Sequence, residues 1–136
     1  MGWAAFTVAS VERIRLEFEI IAVDHVQLAM PPGREADAEA FYCGLLAFER
    51  VPKPPPLAKR GGSWFVRGPV KLHLGIDAEF RPVRKAHPGL TVVGFDALCS
   101  KLQASGVAVR PDNDLPGVRR CYIEDPFGNT IELIEG

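Results

Sequence analysis

The sequence is poor in cysteine, and the few that it has are badly placed for structural chemistry. Cys43, Cys99 and Cys121 are widely spaced and form no CxxC pair. An odd, scattered set of this kind is not typical of a disulfide framework or of a thiolate zinc site. We therefore predict reduced thiols in a cytoplasmic protein.

The sequence also lacks an excess of charge and any long apolar run. Its 16 basic and 17 acidic residues leave a net charge of −1, which gives no electrostatic basis for binding nucleic acid or an anionic membrane surface. No apolar segment is long enough to span a bilayer, and the N-terminus lacks the basic start of a signal peptide. These shortages exclude the nucleic-acid-binding and membrane classes from our expectations.

What the sequence does contain is typical of one globular domain. A chain of 136 residues with 47% hydrophobic and 24% charged residues can form one core but not two ordinary domains. Its 12 prolines and 13 glycines indicate many turns and short elements, which argues against a helical bundle.

The chain repeats one order of elements. Hydrophobic alternation and helical periodicity predict strand, helix, strand, strand, strand in residues 21–77 and again in residues 86–136. The helices are expected over residues 35–46 and 96–105. A repeat of this kind predicts two similar sheets that meet across a pseudo-twofold axis.

Three further assignments rest on simpler signals. Residues 1–20 form an N-terminal extension, in which the alternation of residues 13–20 predicts an extra edge strand. The proline-rich segment 52–62 is expected to be a mobile loop. Trp64 is expected in the core.

Three histidines and one strand carboxylate fall at repeated positions. His25 and His87 lie at the first strand of each half, and His73 and Glu132 lie in the middle of the last strand of each half. Folding the halves into one cup would bring the four side chains together, and imidazole nitrogen and carboxylate oxygen suit a divalent first-row metal. The alternative is that each is an ordinary packed or surface residue, and Pro88 could hold His87 outside its strand.

Several segments resemble the vicinal oxygen chelate superfamily, the group of glyoxalase I, fosfomycin-resistance proteins, extradiol dioxygenases and bleomycin-resistance proteins. The resemblance covers residues 20–136, so we expect residues 21–136 to form a single domain of this superfamily. The segments that carry it are Asp24–Met30, Phe41–Phe48, Leu72–Gly75, His87–Val92 and Asp125–Glu132.

The resemblance implies an α+β fold in which two βαβββ modules form a cup-shaped, barrel-like mixed sheet with flanking helices, usually in a homodimer. It also implies a divalent metal (Fe, Mn, Ni, Co or Zn) held by His25, His73, His87 and Glu132. Glyoxalases often have a carboxylate where this chain has His73, so the ligand set is rich in histidine. Whether the modules pair within one chain or across a swapped dimer stays open.

The function that the resemblance implies is metal-dependent chemistry on a small substrate that chelates the metal through adjacent oxygens. Lyase or isomerase chemistry and dioxygenase chemistry are both compatible with it, and Glu132 would be the catalytic base. Further residues that share faces with the site are expected to bind the substrate: Gln27, Phe65, Arg67, Arg120 and Tyr122. The alternatives are a non-catalytic small-molecule binding or sequestration protein of the bleomycin-resistance type, and an oligomerisation module with a vestigial site.

Overall fold

The computed structural model describes residues 17–136, which form two four-stranded mixed sheets and three helices. Half of the predicted edge strand at 13–20 lies outside the described residues, and residues 17–20 form no strand. The strands are β1 (Val26–Met30), β2 (Glu49–Val51), β3 (Ser63–Arg67), β4 (Val70–Ile76), β5 (Gly89–Val92), β6 (Arg110–Asp112), β7 (Arg120–Glu124) and β8 (Thr130–Glu135), and the helices are α1 (Glu35–Tyr42), α2 (Pro55–Ala58) and α3 (Phe95–Ala104).

The two sheets have the same topology. The first has the strand order β1-β4-β3-β2 and the second β5-β8-β7-β6. In each sheet the first and last strands of the module are parallel and the other neighbours are antiparallel. The sheets are two βαβββ-like modules that do not close on each other, and their open arrangement is consistent with a cup. The predicted fold class is therefore confirmed.

The strand registers give the equivalence between the modules. Gln27 lies opposite His73 in the first sheet, and Gly89 lies opposite Glu132 in the second. His25 and His87 each stand two residues before these partners and are therefore equivalent. On the other neighbouring strand, Trp64 lies opposite His73 and Tyr122 lies opposite Glu132.

One hydrophobic core spans both modules, and its position decides which side chains can form a site. Leu72 and Leu74 of β4 and Ile131 and Leu133 of β8 are buried in it. Because side chains alternate along a strand, residues between these point to the opposite face of their sheet. His73 and Glu132 therefore lie on the faces directed away from the core.

Two elements differ from the sequence expectation. Helix α1 ends at Tyr42 rather than near Leu46. Just beyond it the backbone at Gly44 approaches the Ala40 carbonyl so closely that a Cβ there would lie 2.3 Å from its oxygen, so this position requires glycine. The proline-rich loop contains the single-turn helix α2, which begins with Pro55, a residue that suits the first helical turn. Within residues 17–136 no helix has the length and apolar character needed to cross a membrane.

A buried carboxylate joins the modules. Asp125, which is 5% exposed, accepts hydrogen bonds from the Tyr42 hydroxyl (2.8 Å), from the Asn129 side-chain amide (2.9 Å) and from two backbone N–H groups of its own turn. The same Asn129 amide donates to the Ala29 carbonyl at 2.8 Å. Gly128 closes the turn with a φ of 89°, a conformation that costs glycine little.

We expect Tyr42→Phe to lower the free energy of unfolding by about 2 kcal/mol at pH 8, because it removes one of the two donors of the buried Oδ2 of Asp125 and leaves only the Asn129 amide. Burial, then the charge of Asp125, raises the pKa of Tyr42 well above 10. The folded tyrosine therefore keeps its proton in a range where the unfolded tyrosine loses it, and the contribution of Tyr42 is lost as the pH rises above about 10. Urea denaturation of both proteins at pH 8 and pH 11 should show the difference shrinking by about 1.4 kcal/mol. An unchanged difference would contradict this account.

Candidate functional site

In the first module, three rings form a continuous stack on the face of the sheet directed away from the core. The ring centroids of Trp64 and His73 are 4.3 Å apart at an interplanar angle of 10°, and those of His73 and His25 are 4.3 Å apart at 19°. His73 is therefore the middle layer. Trp64, expected in the core, is half-buried and lies instead at the end of this stack opposite His25.

His25 is oriented by a hydrogen bond as well as by the stack. Its Nδ1 lies 2.9 Å from Oδ1 of Asp24. Because an ionised carboxylate only accepts, Nδ1 carries the proton and Nε2 is left to bind a metal. This hydrogen bond, then the charge of Lys71, lowers the pKa of Asp24, which keeps the accepting group ionised.

His73 differs from His25 in its surroundings. Within residues 17–136 neither of its ring nitrogens makes a hydrogen bond. Burial, then the charge of the neighbouring His25, lowers the pKa of His73. Both effects favour the neutral form of the His73 ring.

In the second module, the equivalent positions form a chain of polar contacts. Nδ1 of His87 donates to the Lys85 carbonyl at 2.8 Å, and its Nε2 lies 3.0 Å from Oε1 of Glu132. Arg120 donates to Oε2 of Glu132 at 3.2 Å and to Asp112 at 3.3 Å. Glu132 is thus held on one oxygen by a guanidinium, while its other oxygen faces an imidazole.

The donor atoms of this second pair fit a divalent metal. Two ligand atoms that are each about 2.1 Å from one ion and at right angles lie about 3 Å apart, and Nε2 of His87 and Oε1 of Glu132 have this spacing. The Lys85 carbonyl fixes the tautomer in which Nε2 binds, as second-shell acceptors do in metal sites. A proton between the two atoms would be replaced by the ion.

The four predicted ligands form two pairs in this chain rather than one cluster. His25 contacts His73, and His87 contacts Glu132. Across residues 17–136, no group of three or more histidine, cysteine, aspartate or glutamate side chains is placed to hold one metal ion. The described part of the chain therefore contains two separate pairs of candidate ligands.

The predicted substrate-binding residues are divided among different environments. Arg120 and Tyr122 lie at the second pair, where the Tyr122 ring contacts His87 edge to face. Gln27 is exposed on the His25 face, and Arg67 is exposed at the end of β3. Phe65 is buried in the core and stacks on Tyr42, so its surroundings do not favour contact with a ligand.

Sequence reasoning missed the groups that orient the histidines. Asp24 and Trp64 are visible in the sequence, but their roles depend on contacts that only the fold creates. The Lys85 carbonyl is a backbone group and has no sequence signal. The pairing of Trp64 with His73 could have been inferred from the hairpin register, since the turn at Gly68 and Pro69 places them opposite each other.

An open groove runs along the free edges of β1 and β5. His25 lines it together with Val26 on one side, and Gly89 and Leu90 line it on the other. His87 and Glu132 do not line this groove. The two pairs of candidate ligands are therefore presented at different places on the surface of one chain.

We expect Arg120→Gln to lower the melting temperature by roughly 5 °C, because it leaves the two largely buried carboxylates of Glu132 and Asp112 without a cation. Arg110→Gln is the matched control, since the pair of Arg110 with Glu124 is about half exposed and such pairs contribute little. Equal melting temperatures for the two variants would show that the ion pairs of Arg120 with Glu132 and Asp112 do not stabilise the fold.

Comparison with known proteins supports the fold and gives the family. The chain matches no protein-family model and no protein of curated function. Among solved structures, a glyoxalase family protein of Bacillus anthracis is 41% identical, with a TM-score of 0.85 over 89% of this chain and 99% of that one. The fosfomycin resistance protein FosX of Listeria monocytogenes is 16% identical, with a TM-score of 0.69 over 87% and 95%. TnmS3, an antibiotic binding protein of Streptomyces sp. CB03234, is 26% identical, with a TM-score of 0.65 over 85% and 98%. The level of identity to the Bacillus protein, over nearly its whole length, places this chain in the glyoxalase family of the vicinal oxygen chelate superfamily.

Proposed function

We propose that the protein is a metal-dependent enzyme that acts on a small molecule with two adjacent oxygens. The observation that carries the proposal is the pair formed by His87 and Glu132, whose donor atoms lie 3.0 Å apart. The metal is a divalent ion of the series Fe, Mn, Ni, Co and Zn, for which imidazole and carboxylate are suitable ligands. When bound, the ion would act as a Lewis acid or a redox centre for lyase, isomerase or dioxygenase chemistry.

His25 of a second copy completes the ligand set in this proposal. Within the described residues, β1 and β5 are each hydrogen-bonded to a neighbouring strand on one side only. Pairing β1 of one copy with β5 of the other would extend both sheets and remove these free edges. It would also bring together His25 and His87, which occupy equivalent positions beside the two edges.

Exposed apolar side chains at both edges support this homodimer. Val23, just before β1, is 79% exposed, and Val93, just after β5, is 91% exposed. Ile20 and Ile21 are similarly exposed in the segment that leads into β1. Exposed apolar side chains beside unpaired strand edges are typical of an interface, and a twofold dimer would cover both edges with the same contact.

The residues around the second pair have separate roles in the proposed reaction. Glu132 is the acid–base residue, since its Oε1 faces the site while Arg120 fixes Oε2. Tyr122 limits the movement of the His87 ring by its edge-to-face contact. Gln27 and Arg67, both exposed on the first module, are available to bind polar or anionic groups of the substrate.

We expect purified protein to bind one divalent ion per chain, and His25→Ala, His87→Ala and Glu132→Gln to weaken binding by more than roughly 100-fold each, because each removes a direct ligand. Metal analysis and titration calorimetry would measure this. Glu132→Gln should also lower the turnover of the metal-saturated enzyme by about 10²- to 10⁴-fold, since it removes the acid–base group. Hemithioacetals of 2-oxoaldehydes and catechols are the substrates with which to screen lyase and dioxygenase activity.

Hybrid dimers test whether the site is shared between copies. Chains carrying His25→Ala and chains carrying Glu132→Gln, with different affinity tags, would be co-expressed and the hybrid isolated with both tags. In a shared site, one of the two sites of the hybrid has both substitutions and the other has none, so the hybrid binds one ion. A hybrid as poor in metal as its parents would mean that the modules pair within one chain, and wild-type protein without affinity for any of these metals would refute the metal proposal itself.

A binding protein without turnover is the second candidate. The likeness to an antibiotic binding protein and the open groove beside His25 favour it. Thermal-shift measurements with organic ligands separate the two functions. Stabilisation that persists with a chelator and in His87→Ala would favour binding alone, whereas loss of stabilisation under both conditions would favour the enzyme.

A further inference from the structure

The stack of Trp64, His73 and His25 has a geometry that excludes joint ligation by its two histidines. The lone pair of an imidazole nitrogen lies in the plane of its ring. The planes of His25 and His73 are inclined by 19°, with centroids 4.3 Å apart, so they converge far beyond the ~2 Å length of a metal–nitrogen bond. One ion cannot be reached in plane by both rings while the stack persists.

Hydrogen bonding also distinguishes His73 from His25 and His87. His25 and His87 each have Nδ1 within 2.9 Å of an acceptor oxygen, so the candidate ligand atom of each is Nε2, which in His87 faces Oε1 of Glu132. This arrangement is typical of metal-binding histidines. Within the described part of the chain His73 has no such acceptor, and both faces of its ring are covered by other rings.

The equivalent positions of the two modules also differ in the contact that they make with the histidine. His73 is equivalent to Glu132, and Trp64 is equivalent to Tyr122, by strand register. In the second module the carboxylate contacts the edge of the His87 ring through a polar contact at Nε2. In the first module the same position contacts the face of the His25 ring. The equivalent position therefore contacts the histidine before the first strand in both modules. The contact is stacking in the first module and polar in the second.

We propose that His73 is a positioning residue rather than a metal ligand: it transmits the fixed orientation of Trp64 to the ring of His25. This replaces the ligand role that the sequence pattern gives to His73, and it rests on the proposed metal site only for its effect on affinity. Trp64 lies within β3, opposite His73 of β4, and stacking on a planar partner limits rotation of the middle ring. His25 stands before β1 and is largely exposed, so without the stack its ring would have more freedom and bind a metal less tightly.

His73→Phe and His73→Ala test the two roles against each other. Phenylalanine keeps a flat ring between Trp64 and His25 but has no donor atom, whereas alanine removes the layer. We expect metal affinity to fall about 10-fold in His73→Ala, as for the loss of a second-shell contact, and to stay within about threefold of wild type in His73→Phe. His25→Ala provides the size of the loss that a true ligand causes.

Two readouts keep this inference separate from the proposed function. The visible absorption spectrum of the cobalt-substituted protein should be the same in wild type and His73→Phe, since the ligand atoms are the same. In metal-free protein, the ring protons of His25 should show an upfield ring-current shift by NMR in wild type and His73→Phe but not in His73→Ala. The NMR result stands even if no metal binds.

The outcomes that overturn the inference are specific. A loss of affinity in His73→Phe as large as in His73→Ala, or a changed cobalt spectrum in His73→Phe, would make His73 a ligand. Equal affinities for wild type, His73→Ala and His73→Phe, or the absence of the ring-current shift from the wild-type protein, would show that the stack does not position His25.

Discussion

The hydrogen bonds of Asp125 are the constraint on which the arrangement of the molecule depends. This carboxylate is buried in the turn before β8, and it accepts from Tyr42 of the first module and from Asn129 of the second. Because a buried charge is costly without donors, the turn and helix α1 must stay together. Asn129 also donates to the Ala29 carbonyl, which ties the same turn to β1. The two sheets are thereby held with their candidate site residues on the faces directed away from the shared core.

The pseudo-symmetry of the modules explains how one fold produces two different half-sites. Equivalent registers place a histidine, a residue in the middle of the last strand, and an aromatic ring at matching positions in each sheet. The difference comes from His73 and Glu132. An imidazole between two rings stacks, whereas a carboxylate beside Arg120 forms ion pairs. The contact from the last strand to the histidine is therefore ring stacking in the first module and a polar contact in the second.

The sequence predicts the parts of this structure that depend on local periodicity. Alternation in β4 and β8 places His73 and Glu132 opposite the core because a strand side chain has two choices of face. Other features depend on contacts distant in the chain, and periodicity carries no information about them. The core position of Phe65 against Tyr42, the bond from Tyr42 to Asp125 across 83 residues and the separation of the four predicted ligands into two pairs are of this kind. The end of α1 at Tyr42, short of the predicted residue 46, is another feature that periodicity does not give.

In the proposed dimer, metal binding and association are one equilibrium. An ion held by His25 of one copy and by His87 and Glu132 of the other binds the dimer and not the separated chains, so it stabilises the dimer by the free energy of its own binding. At a free metal concentration of 100 times the dissociation constant, each site contributes about 2.7 kcal/mol. This contribution is added to that of apolar edge residues such as Val93, which are exposed in the single chain. Positioning of His25 by the Trp64–His73 stack then acts on both quantities, because a ring already oriented before association loses less freedom when the ion binds.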